Sequence, residues 1–129
     1  MREVKFRIWD NEDKYIKKVD SIDFPLGKPS GKDVCVYNQQ EDYYEWIYDY
    51  ELMEYTGLKD KNEVEIYEGD IVKTKRASNI KGLVVMYKAT WCIYDGYKYY
   101  KLYDNFVEIN SPIEVIGNIY ENPELLEKV

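Results

Sequence analysis

The 129-residue sequence is 45% hydrophobic and 16% aromatic, with 15 Tyr, no His and a formal net charge of −7. Its length bounds it to one domain or two very small ones, and no stretch approaches the ~20 apolar residues that would carry a helix across a bilayer. Without His, the side chain that titrates nearest neutrality is missing, and two isolated cysteines, Cys35 and Cys92, do not make a common zinc site.

The opening run MREVKFRIWD lacks the apolar core of a signal peptide. The expected location is therefore the cytoplasm, where Cys35 and Cys92 stay reduced and read as buried, inert thiols. Tyrosine suits half-buried pleated surfaces, because its ring is apolar and its hydroxyl can stay wet. Its abundance favours strands over helices.

Charge is spread unevenly. Residues 1–34 carry 8 basic and 7 acidic side chains, residues 35–70 carry 2 and 11, and residues 71–129 carry 8 and 7. The acidity is thus concentrated in the middle stretch, at −9, while each flank is +1. An acidic field opposes general binding to phosphate backbones, although a localised one opposes it less.

In chain order, Val4-Lys5-Phe6-Arg7-Ile8-Trp9 alternates apolar and basic residues and predicts a half-buried strand. Asp10-Asn11-Glu12-Asp13 is a polar turn and residues 14–19 resume extended character, so the start reads as a β-hairpin. The acidic turn lacks the Gly and the distal Glu of a calcium-binding EF-hand loop. Residues 24–32, with Pro25, Gly27, Pro29 and Gly31, read as a flexible connector; a phosphate-binding loop would need a different spacing and a Ser or Thr where Asp33 stands.

Tyr44, Trp46, Tyr48, Tyr50 and Leu52 alternate with Glu45, Ile47, Asp49, Glu51 and Met53, the strongest strand pattern in the chain. Its aromatic face reads as a sheet face packed on the core. The alternatives are a stacking platform for bases or a set of anchors for a partner, with Trp46, Tyr48 and Tyr50 as the candidate partner-binding residues. Residues 56–57 and 59–62 punctuate the chain as turns. Strands are predicted from Ile71, over 82–87, around 90–94, over 98–103 and over 113–119, which suggests a small barrel or curled sheet. Asn122 and Pro123 predict the cap and first position of a short C-terminal helix that must dock through Leu125 and Leu126.

Three blocks carry a resemblance: residues 5–10 (KFRIWD), residues 52–72 (LMEYTGLKDKNEVEIYEGDIV), and residues 115–126 (VIGNIYENPELL). In order and spacing they resemble the YopX family of phage and prophage proteins, over nearly the whole chain. The resemblance implies a mainly β fold, with an N-terminal hairpin and sheet region over residues 1–64 and an SH3-like curled sheet or barrel with a short helix over 65–129. It also implies a phage or prophage origin and supplies no catalytic residues. Glu63 departs from the family by standing where Gly usually follows Asn62, so a wider loop than a two-residue Asn-Gly turn is expected. Gly57 and Gly69 are expected at positive φ or close approaches, Asp70 to bind nearby amides, and Gly117 to mark a bulge or tight packing against a neighbouring strand.

No converging set of nucleophile, acid and base is visible, so no enzyme activity, cofactor or metal is expected; an enzyme, or a protein binding a divalent cation through carboxylates of residues 41–70, is the least favoured alternative. A protein-binding or assembly module fits better, with a homo-oligomer among its possible partners, since short strands leave edges that can pair. The competing reading is a nucleic-acid-binding module, with phosphate contacts from Lys73, Lys75, Arg76 and Lys81 near the first barrel strands, or from Lys5, Arg7, Lys17 and Lys18 on the hairpin. A third is an acidic mimic of nucleic acid that engages a host factor. No membrane association is expected.

Overall fold

The computed structural model describes residues 5–23, 34–74 and 79–127. They form two compact units, divided between Glu54 and Tyr55, where the sequence places its boundary after residue 64. The fold is mainly β, as expected. The predicted connector over 24–32 lies outside the described residues.

In the N-terminal unit, β1 (Phe6–Asp10) and β2 (Tyr15–Lys18) form the predicted antiparallel hairpin, with Trp9 opposite Ile16. Asp10 closes its own turn. Its Oδ1 accepts the amides of Glu12 at 2.8 Å and Asp13 at 3.1 Å, the bonds that a short carboxylate makes to backbone two and three residues on. Strands β3 (Ser21–Asp23), β4 (Val34–Asn38) and β5 (Tyr43–Ile47) form a three-stranded antiparallel sheet in that order, leaving β5 at an edge. The first residues of β6 (Tyr50–Lys59) pair with β1, setting Leu52 opposite Ile8. The core is Ile8, Val34, Val36 and Ile47, with Val19, Ile22, Tyr50 and Leu52 packed against it.

One expectation is corrected here. Residues 44–53 do not form a single strand: β5 ends at Ile47, and β6 begins at Tyr50. Between them the carbonyl and carboxylate of Asp49 accept bonds from the backbone and side-chain amides of Asn11, each at 2.9 Å. The alternation survives in sequence but restarts in space. Tyr50 and Leu52 face a core, whereas Tyr44 and Trp46 do not.

In the second unit, β7 (Glu65–Tyr67) pairs with the end of β6, and six further strands close a barrel. They are β8 (Asp70–Thr74), β9 (Lys81–Tyr87), β10 (Thr90–Tyr94), β11 (Tyr99–Tyr103), β12 (Phe106–Val107) and β13 (Ser111–Asn118). Five match predicted strands; the two-residue β12 is too short for any periodicity to show. The interior is filled by Val72, Val84, Ile93, Leu102, Val107 and Ile113. Gly69 sits at φ +91 in the turn into β8, and the neighbouring Asp70 carboxylate accepts the Tyr67 amide at 2.8 Å, as expected.

Gly117 does lie at a register shift in β13, between Val115 and Gly117. The close approach is to the C-terminal turn rather than to a strand: a Cβ on Gly117 would stand 2.5 Å from Asn122 Oδ1. The predicted helix is a single 3-10 turn over Pro123–Leu126. Asn122 does not cap it, because its Oδ1 accepts the Asn118 amide instead, at 3.2 Å. Among the described residues no helix is long and apolar enough to cross a membrane.

Candidate interaction surface

The antiparallel register of β4 and β5 decides which aromatic side chains are exposed. Val34 pairs with Ile47 and Val36 with Glu45, so that parity faces inward. The other parity sets Cys35 opposite Trp46 and Tyr37 opposite Tyr44, all on the outward face. Trp46 is 50% exposed, Tyr44 70% and Tyr48, in the bend after β5, 59%. The Tyr37 and Tyr44 rings lie 4.6 Å apart, and the Tyr37 hydroxyl donates to Asp42 at 2.9 Å, which pushes its pKa up. The expectation that this aromatic face is core therefore fails for Tyr44, Trp46 and Tyr48. Of the three candidate partner-binding residues, Tyr50 alone is half-buried against the core. Cys35, expected to be buried, is half-exposed beside Trp46, while Cys92 is buried and its thiol pushed up by that burial.

On the inward parity, Glu45 reaches a cluster of acids. Asp10, Asp13 and Glu45 bring carboxylate oxygens within 4.8 Å of one another, a spacing that could hold a cation. The cation there is Lys17. Its ammonium lies 2.7 Å from Asp10 Oδ2 and 2.8 Å from Asp13 Oδ2, and also donates to Glu45 Oε1. Burial disfavours the charge on Lys17, but the three carboxylates outweigh it and hold the ammonium above its ordinary pKa. Burial likewise opposes the charge on Asp10, yet Lys17 and the amides of Asp13 and Glu12 hold its carboxyl below the usual range. Lys17 is thus a buried counter-ion, which corrects its expected placement among exposed phosphate contacts. No local spacing announces it, since Glu45 is 28 residues away.

The other phosphate-contacting candidates fare differently. The Lys73 ammonium lies 3.8 Å from Glu114 on the paired strand β13, so it already faces a carboxylate. Lys75 and Arg76 lie outside the described residues.

Residues 5–127 match the family described as YopX protein. Two solved structures resemble the chain throughout. One is protein EF1440 from Enterococcus faecalis, 28% identical with a TM-score of 0.64, covering 98% of this chain and 100% of its own. The other is protein yopX from Bacillus subtilis, 27% identical with a TM-score of 0.64, covering 100% of this chain and 99% of its own. No curated protein matches.

Proposed function

The chain belongs to the YopX family, and from that premise we propose that it is a phage- or prophage-encoded accessory protein that binds other proteins and performs no chemistry of its own. The observation that carries this reading is the row Tyr44, Trp46 and Tyr48, about half-exposed or more, on and just after an edge strand. Tyr and Trp are the side chains most often found as interface anchors. An edge strand also offers unpaired backbone groups to an extended segment, with pockets between alternate side chains to select it. The exposed acids nearby, Asp42 and Asp49, favour a partner segment bearing Lys or Arg.

The absence of chemistry is supported by what the reactive groups are doing. The Lys17 ammonium already occupies the centre of the one acidic cluster found among the described residues. The Cys92 thiol and the Tyr37, Tyr43 and Tyr100 hydroxyls are all shifted towards their protonated, less nucleophilic forms.

Trp46→Ala should abolish capture of a host protein from bacterial extract, in the presence of nuclease, while leaving the thermal melt in place. A side chain half in water has little packing to lose, so a shift comparable to the ~3–5 kcal/mol of a core Trp→Ala change would show the surface reading to be mistaken. Capture that disappears on nuclease treatment would do the same.

The edge position of β5 also favours a second copy of the chain as one partner. Sedimentation should then show species heavier than the 15.5 kDa monomer that dissociate in Trp46→Ala. A monomer at all concentrations would remove self-association and leave the heterologous partner.

A further inference from the structure

On the barrel, strands β9, β10 and β11 raise stacked tyrosines and exposed lysines on one outward face, and we propose that this face binds single-stranded nucleic acid. It lies within the barrel unit and does not depend on the reading of β5.

The register builds the face. Val84 and Ile93 fill the interior, so Lys81, Val85 and Tyr87 on β9, Cys92 and Tyr94 on β10, and Tyr99 and Lys101 on β11 point outward. Tyr99 stacks on Tyr87 with centroids 3.7 Å apart and planes 6° from parallel, and on Tyr94 at 4.5 Å and 25°. Cys92 is outward-facing yet only 2% exposed, and it lines the same groove as Tyr87 and Tyr99. Since Tyr99 covers one face of Tyr87, the Lys88 ammonium, 5.4 Å from the Tyr87 centroid, occupies the other. A flexible lysine can swing from that ring to a phosphate, opening the end of the column to a base. Tyr97 and Tyr103, 76% and 51% exposed, extend the aromatic surface.

Local charge separates this surface from the rest of the chain. Residues 81–103 hold four lysines (Lys81, Lys88, Lys98 and Lys101), six tyrosines and one acid, Asp95, in a protein whose net charge is −7. All four lysines are exposed, and none of their ammonium groups forms an ion pair among the described residues. The Asp95 carboxylate is already engaged, accepting the Tyr97 and Lys98 amides at 2.8 Å. A groove of about 450 Å³ is lined by Tyr87, Lys88, Tyr99 and Lys101, together with one acid from outside that segment, Glu108. Stacked rings interleaved with exposed cations match bases and phosphates in alternation, and every base offers a face to stack on. A protein partner would not need the lysines left without carboxylates.

The test is fluorescence anisotropy of the full chain with labelled single strands of about 12 nucleotides, one DNA and one RNA, at low and moderate salt. Binding that weakens with salt is expected, and the two arms distinguish which sugar is preferred. Reversing Lys88 and Lys101 together to Glu should lower affinity about tenfold or more and reduce the magnitude of the log–log salt slope by about 1.4, the loss of two single-strand phosphate contacts. Tyr87→Ala should weaken binding about tenfold, Tyr99→Phe should stay within about twofold, and Glu108→Gln should strengthen it. Thermal melts of the variants report that each still folds. No binding of either strand at low salt would overturn the proposal. So would tighter binding to duplex than to single strands, or affinity unchanged by the paired lysine reversals, or capture of a protein by this face while both oligonucleotides are ignored.

Discussion

Lys17→Met should destabilise the protein by about 3–5 kcal/mol at neutral pH, and the deficit should shrink as the pH is lowered. The physical case begins with what the substitution leaves behind. Asp10 and Glu45 are largely removed from water, with side chains 7% and 19% exposed, and Asp13 is half-exposed beside them. Methionine fills the volume of the Lys17 stem but leaves three carboxylates crowded together without a cation. Removing one partner of a buried ionic cluster strands the charges of the others, which is why the loss exceeds the modest net contribution of the intact cluster.

The pH dependence follows from the signs. In the native protein the Asp10 carboxyl is held below its ordinary value. Its contribution is therefore present above the unfolded pKa near 3.8 and fades as the pH falls through the folded value below it. In the variant the crowded carboxylates shift the opposite way, so they bind protons more readily folded than unfolded, and acid relieves the repulsion. The gap between the two proteins should be widest at pH 7 and should narrow through the carboxylate range, about pH 5 to 4. Chemical denaturation at both pH values measures it. A gap of the same size at both would mean that Lys17 acts only by packing.

The fold was largely legible because strand periodicity is a local signal. The hairpin over residues 6–18 and five of the six barrel strands follow from alternation and turn residues alone. What escaped is non-local. Whether Trp46 or Ile47 faces a core depends on which strand lies across from β5, and both parities of that strand carry an apolar or aromatic ring. Alternation tells that the two differ, not which is inside. The same holds for Lys17, whose third carboxylate comes from a different sheet, and for the tyrosine column, whose members at 87, 94 and 99 are assembled by two strand registers. Composition did point to strands, but it counted Tyr as a class without separating rings that stack in solvent from rings that pack inside.

Asp60→Ala should destabilise the barrel unit by about 3–5 kcal/mol, although nothing in the sequence marks this aspartate beyond its place in a polar turn. Asp60 is fully buried, with no exposed surface. Its Oδ1 accepts the amides of Asn62 at 2.8 Å and Val64 at 3.0 Å, and its Oδ2 accepts the amide of Val115 at 2.9 Å. The first two bonds shape the loop between β6 and β7, where Glu63 is held at φ +65. The third ties that loop to β13. Strand β12 pairs with β13 only at Ser111 and Pro112, so beyond them that edge of β13 needs other partners. Asn105 accepts the Ile113 amide at 3.1 Å, Lys61 donates to the Ile113 carbonyl at 3.1 Å, and Asp60 serves Val115. One carboxylate therefore stands in for a stretch of missing strand. Alanine would leave three amides without an acceptor, each costing about 1–3 kcal/mol where water cannot reach it, less whatever water does enter. Asparagine should cost less, since its carbonyl still serves Asn62 and Val64, but its NH2 would confront the Val115 amide. Denaturation of the three proteins should rank native above Asp60→Asn above Asp60→Ala, and hydrogen exchange should accelerate first at Asn62, Val64 and Val115. An alanine variant that melts with the native protein would show that water replaces the carboxylate at little cost and that β13 holds its edge without it.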